Sequence, residues 1–267
     1  MICKTARDAN DYVNGWLTRQ PELKEESITD WLLDYFDQHT NQVRYYQFNR
    51  QEEGKFSGAD WDWWLLLRNG CFKLRIQAKK VKSRANHYSE LTRSNKNGFQ
   101  IDLLLNSSSE QNFYPLYAFY GKSEGVERCQ NKPTKVYLHI SSAQEVYDFV
   151  FGRPRQNINS TDLLKLTIPL ECLFCCPLVR DFDDTGPLKL FEQYFKVPPR
   201  DVKNDNQDGK ARENQGFEER TPELITAIYN IETINDDTIG LINEYRNQFP
   251  GSNSISIIKI DKDINIE

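Results

Sequence analysis

The chain has 267 residues, 34 Lys and Arg against 39 Asp and Glu, and a net charge of −5, which argues against a surface that is basic throughout. Its 38% hydrophobic and 12% aromatic residues suffice for a real core, in one large domain or a domain with an appendage. No apolar stretch reaches the roughly 18 residues of a membrane span, and "MICKTARDANDYVNGW" lacks a charged segment followed by an apolar run, so the expectation is a cytoplasmic protein without signal peptide or membrane partner.

"EESITDWLLDYFDQ" (25–38) reads as a helix with Ile28, Trp31, Leu32, Tyr35 and Phe36 on one stripe. Glu25 falls at the edge of that stripe and looks toward the core, whereas Glu26 turns to the polar side. Three strand-like runs follow, "VRYYQF" (43–48), "ADWDWWLLL" (59–67) and "CFKLRIQAKKV" (71–81). Asn69-Gly70 between the last two is a hairpin signal, since both central residues of a type I′ turn need positive φ. With those two as the loop, Asp62 faces Gln77 and Asp60 faces Lys79, and alternation puts all four on one side of the sheet. Trp61, Trp63 and Trp64 could stack on bases, but core is the expected place for such rings.

"GFQIDLLLNSS" (98–108) reads as a helix, "FYPLYAFYG" (113–121) and "TKVYLHIS" (134–141) as strands, and "SAQEVYDFVFG" (142–152) as a helix that Ser142 could cap. Residues 198–220 are almost free of apolar side chains and read as a flexible linker or loop. "TPELITAIYNIETI" resumes helix character, with Thr221 as cap and Pro222 at the first position, and "SISIIKIDKDI" reads as a strand. The expected fold class is α/β (or α+β), a mixed sheet flanked by helices. The division is a main domain over 1–197, the linker, and a helix-strand extension over 221–267 that either packs on the main domain or completes its sheet.

Between Arg68 and Lys96 stand nine basic residues (Arg68, Lys73, Arg75, Lys79, Lys80, Lys82, Arg84, Arg93, Lys96) against one acid, Glu90. A solvated face is one reading. A basic stretch beside a carboxylate cluster in an acidic protein also suits phosphate, and Lys80, Lys82 and Arg84 are the candidate nucleic-acid contacts. "CLFCC" (172–176) looks like half a zinc site, but no second C-x-x-C or H-x-x-H accompanies it, which favours buried free thiols.

The helix thus supplies a carboxylate, and the hairpin one or two more, an amide and a lysine. Oxygen donors of this kind suit a hard divalent ion, and a lysine beside it can steady charge building on a phosphate. Glu25 on its helix, "GAD" ending at Asp60, and then Gln77-Ala78-Lys79 resemble the PD-(D/E)XK restriction-endonuclease-like superfamily. So do the "E-x-x-I-T" start of the helix and the "Gln100…Leu104" helix leading into "PLYAFY". The pattern is nearest to bacterial members with "TGADW-x-WW" and "QAK" segments, and it covers about residues 22–140. The resemblance implies a restriction-endonuclease-like core and a Mg²⁺- or Mn²⁺-dependent endonuclease acting on nucleic acid, DNA first, in bacterial antiviral defence. It implies metal ligands at Asp60, Gln77 and the Ala78 carbonyl, Lys79 as catalytic lysine and Glu25 as the helical acid. Gln77 departs from the commoner Asp or Glu and removes one anionic ligand. The facing pairs above favour Asp62 over Asp60, whereas "GAD" favours Asp60, which is preferred. A homodimer or a partner protein is open, as is an inactive module of the same fold that binds nucleic acid or protein.

Overall fold

Along β3 (Gly70–Lys80) the apolar Phe72, Leu74, Ile76 and Ala78 alternate with Lys73, Arg75, Gln77 and Lys79, yet all but the last residue are buried. A strand polar on one face and buried on both must have partners for those polar groups. A computed structural model supplies them. It describes residues 2–48, 57–68, 70–81, 89–123, 128–129, 135–152, 159–176, 190, 193–195, 215–233 and 235–260.

The helices given bounds among the described residues are α1 (Ile2–Arg19), α2 (Glu25–His39), α3 (Gln100–Glu110), α4 (Ala143–Phe151), α5 (Ser160–Leu164), α6 (Cys172–Cys175), α7 (Glu223–Tyr229) and α8 (Asp236–Gln248). Besides β3, the strands are β1 (Val43–Gln47), β2 (Trp61–Leu67), β4 (Ser94–Asn95), β5 (Gly98–Phe99), β6 (Tyr114–Ser123), β7 (Val136–Ser142), β8 (Ile168–Pro169), β9 (Phe217–Glu218) and β10 (Ser254–Lys259). The main sheet runs β1-β10-β2-β3-β6-β7-β8, with β9 beside β3. The pairs β10–β2 and β3–β6 are parallel and the others antiparallel, so the fold is α/β with a central mixed sheet.

Helices cover both faces. Trp61, Trp63, Phe72, Leu74 and Ile76 pack under α1 and α2. On the other face Tyr117 and Phe119 meet α3 and α4, while Trp64, Ile255 and Ile257 meet α7 and α8. The three tryptophans are at most 1% exposed and are core. All six cysteines are buried and none forms a disulfide, with Cys129 Sγ 3.5 Å from Cys172 Sγ. No helix among the described residues is long and apolar enough to cross a membrane.

Several expectations need correction. The hairpin register is displaced: Leu67 pairs with Gly70, and Asp62 faces Arg75 rather than Gln77. Gly70 is a strand residue at φ +138°, where a Cβ would fall 2.1 Å from the Glu218 carbonyl oxygen. The glycine thus admits β9, and Asn69 lies outside the described residues. Because the shift is two residues, the period-two faces survive it. Of the expected linker, residues 198–214 lie outside the described residues, but 215–220 are part of the fold. Lys73 N donates to Gly216 O, and Phe217 and Glu218 pair with Phe72 and Cys71. Of the two expectations for the C-terminal strand, completion of the main sheet is the one that holds, with β10 between β1 and β2. Ser142 occupies the N-cap of α4 without making a capping bond, and Thr221 donates to Gly70 O instead of capping α7, whose N-cap is Pro222. Helix α1 goes unassigned in the sequence reading. Its buried stripe is Ile2, Ala6, Ala9 and Val13, too short in side chain to stand out.

Candidate active site

Asp60 directly precedes β2, and its N–H donates to Ile76 O at 2.8 Å, which extends the ladder by one step. That step sets Asp60 level with Gln77. Its Oδ2 accepts from Ala78 N at 2.7 Å and from Gln77 Nε2 at 2.5 Å. Gln77 Nε2 also donates to Ala78 O at 2.9 Å, so one amide nitrogen bridges a carboxylate and a main-chain carbonyl. On its other side, Gln77 Oε1 accepts from Nε2 of Gln100, the first residue of α3, at 2.7 Å. Gly58, at φ +70°, lets the "SGAD" loop meet that helix, since a Cβ there would lie 2.3 Å from Gln100 O.

Glu25 closes the site from α2. Its Oε1 lies 3.3 Å from Lys79 Nζ, and its Oε2 accepts from Lys80 N at 2.7 Å. The Glu25 side chain is 20% exposed and that of Lys79 only 6%, so the acid is the more solvated of the pair. Glu26 is exposed, as its position on the helix predicts. Burial pushes the Asp60 carboxyl up to about 7, against the pull of Lys79 and of the Ala78 N–H, while Glu25 adds to the rise. An acid in that state gains from an added positive charge.

Glu25, Asp60, Gln77, Ala78 and Lys79 therefore come together as expected, and Asp62 does not join them. Arg75 binds both oxygens of Asp62, at 2.9 and 3.0 Å, in a fully buried pair. The basic stretch also reads differently in three dimensions. Lys73 is buried against Glu218, Arg75 against Asp62, and Lys79 against Glu25. Lys80 Nζ donates to the carbonyls of Pro21 and Leu23 and ties β3 to the turn ahead of α2. Lys82 and Arg84 lie outside the described residues. Gln100 was missed as a site residue, for a lone glutamine opening a helix carries no chemical signature.

Among the described residues no three His, Cys, Asp or Glu side chains gather as a metal cluster. An ion here would draw instead on Asp60 Oδ2, the Ala78 carbonyl and, with the amide turned, Gln77 Oε1. Three hard oxygens of which one is charged fit Mg²⁺ or Mn²⁺ held weakly, with water completing the shell.

A family described as a family of unknown function (DUF6615) matches residues 1–258, from α1 into β10. No curated protein and no solved structure matches the chain.

Proposed function

We propose that this chain, which belongs to that family of unknown function (DUF6615), is a metal-dependent nuclease of restriction-endonuclease-like core that hydrolyses phosphodiester bonds, DNA first among its substrates. The observation that carries the reading is the Gln77 amide nitrogen, hydrogen-bonded at once to Asp60 Oδ2 and Ala78 O. Two oxygens that share one positive-ended donor suit a shared cation equally well. Bound there, a divalent ion would supply positive charge against the charge that develops on a phosphate under attack.

The chain's own groups act around that charge. Lys79 Nζ donates to a non-bridging phosphate oxygen and steadies its growing negative charge. Glu25 holds that ammonium in place through Oε1 and fixes the end of β3 through the Lys80 N–H. Asp60 fixes the main chain at Ala78 by accepting from its N–H through Oδ2, and would be the charged ligand of the ion.

One observation favours a second reading, an inactive module that binds nucleic acid or protein. Lys79 is paired with Glu25 and Gln77 with Asp60, so the site satisfies itself through internal contacts. Cleavage of plasmid and single-stranded DNA in Mg²⁺, Mn²⁺ or EDTA separates the two, with Lys79→Ala and Asp60→Ala run in parallel. The nuclease reading expects metal-dependent cutting that both variants lose. Cutting that survives both, or none by the unaltered protein, overturns it.

A further inference from the structure

The Gln77 amide is oriented against the role of a ligand. Its nitrogen, not its oxygen, faces Asp60 Oδ2 and Ala78 O, while its oxygen is taken by Gln100 Nε2 at 2.7 Å. A neutral N–H donor between two oxygens is an arrangement a cation displaces, because the amide N–H and the ion want the same lone pairs. To become a ligand, Gln77 must turn its amide by half a rotation. Its nitrogen then faces α3 and needs an acceptor there.

Gln100 has that acceptor in reserve. Its Oε1 is buried and has no hydrogen-bond partner among the described residues, whereas its Nε2 already holds Gln77. Turning the Gln100 amide in step with Gln77 presents Oε1 to the turned Nε2 and restores one hydrogen bond between the pair. Position 100 is fixed near the site by the backbone itself, since Gly58 at φ +70° brings the Asp60 loop against the Gln100 carbonyl.

We propose that Gln77 and Gln100 form a coupled amide pair that turns when a divalent cation binds, with Gln100 the positioning residue that sets how readily Gln77 becomes an oxygen ligand. This rests on the metal site of the proposed nuclease, but it concerns binding of the ion and not cleavage. A carboxylate at position 77 would need no such partner, because its two oxygens are equivalent. The glutamine makes the affinity depend on a residue of another element.

The experiment is a double-mutant cycle read as Mn²⁺ binding to the full chain, with free Mn²⁺ followed by its electron spin resonance. Gln100→Glu is expected to tighten binding about tenfold or more, because an acceptor-only partner holds Gln77 in the turned state, whereas Gln100→Leu would remove the pair's one bond from both orientations. In the Gln77→Glu background Gln100→Glu is expected to tighten it by a clearly smaller factor, because orientation no longer matters there. Equal factors in the two backgrounds, or no tightening in either, overturn the coupled turn while leaving the metal site standing. Should Gln100→Glu fold poorly, Gln100→Lys replaces it: a donor-only partner holds Gln77 unturned, so binding should weaken by a larger factor with Gln77 present than in the Gln77→Glu background, and the reverse order overturns the inference. Absence of Mn²⁺ binding by the unaltered protein overturns this inference and the nuclease reading together.

Discussion

Asp62 and Arg75 face each other across the β2–β3 ladder, joined by Nε to Oδ1 at 2.9 Å and NH2 to Oδ2 at 3.0 Å, and neither side chain is exposed. Tyr245 of α8 adds a third hydrogen bond to Asp62 Oδ2 at 2.9 Å, and Trp64 Nε1 donates to the tyrosine oxygen at 3.1 Å. The pair therefore joins the hairpin to the C-terminal helix. Removing one partner leaves a buried charge unpaired, which costs about 3–5 kcal/mol. Asp62→Ala is expected to lose stability on that scale in urea, whereas Asp60→Ala loses much less and abolishes Mn²⁺ binding. An Asp62→Ala protein of unaltered stability that no longer binds Mn²⁺ would reverse the two roles.

The same pair shows why the sequence was legible only in part. The period of two along β3 and the "NG" punctuation correctly indicate a hairpin and a shared polar face, because those depend on local alternation. Which residue faces which depends on Gly70, and Gly70 answers to the Glu218 carbonyl 148 positions away in the chain. A reading confined to the hairpin has no access to that contact. The placement of β10 between β1 and β2 is long-range in the same way, for an apolar run says it is buried without saying beside which strand. The basic row on β3 is legible as a row but not in its pairing. Lys73, Arg75 and Lys79 are matched to Glu218, Asp62 and Glu25 on other elements, contacts that a stretch of sequence does not show. That Asp60, Gln77, Ala78 and Lys79 lie near one another was readable because they come from one hairpin, and Glu25 from a helix whose stripe is plain, but the choice of Asp60 over Asp62 came from the resemblance, against the expected register.

Asp60 gives the protein a pH dependence of defined sign. Its carboxyl is raised from 3.8 to about 7 in the folded chain, chiefly by burial. The folded state thus holds the proton more firmly than the unfolded one, and the stability this contributes below about pH 4 is lost as pH rises toward 7. Asp60→Asn cannot ionise. Its melting temperature relative to the unaltered protein should climb between pH 4 and 7, and level off above. Added Mn²⁺ should raise the melting temperature of the unaltered protein at pH 8 and leave that of Asp60→Asn where it was. A difference between the two proteins that stays flat with pH would show that Asp60 ionises normally.

Gly58 is the point of closest backbone approach between the Asp60 loop and α3. At φ +70° an alanine carries about 1–2 kcal/mol of conformational strain. Its Cβ would also meet Gln100 O at 2.3 Å and Leu104 N at 2.9 Å, both of them backbone atoms that cannot rotate away. Gly58→Ala is expected to lower stability by about 2 kcal/mol or more in urea and to weaken Mn²⁺ binding as the loop withdraws from α3. A variant as stable as the unaltered protein would mean that the loop and helix separate without cost.

His139, in the middle of β7 and 1% exposed, imposes the opposite pH dependence to Asp60. Its Nε2 donates to the carbonyls of Gly121 and Val136, at 3.0 and 3.1 Å, and its Nδ1 lies 3.0 Å from the Thr167 hydroxyl. Burial lowers its pKa from 6.5 to about 4, though the two carbonyls oppose the fall. The unfolded chain therefore takes up a proton that the folded chain refuses. The stability this confers is complete above about pH 6.5 and is lost as pH falls toward 4, about 3 kcal/mol in all at 1.36 kcal/mol per unit. His139→Gln keeps a donor for the carbonyls but has no proton to gain. It should start less stable at pH 8, from imperfect packing, and lose less on acidification, so that the two urea midpoints converge between pH 6.5 and 4. Midpoints that stay parallel over that range would mean that the ring protonates inside the folded protein as readily as outside it.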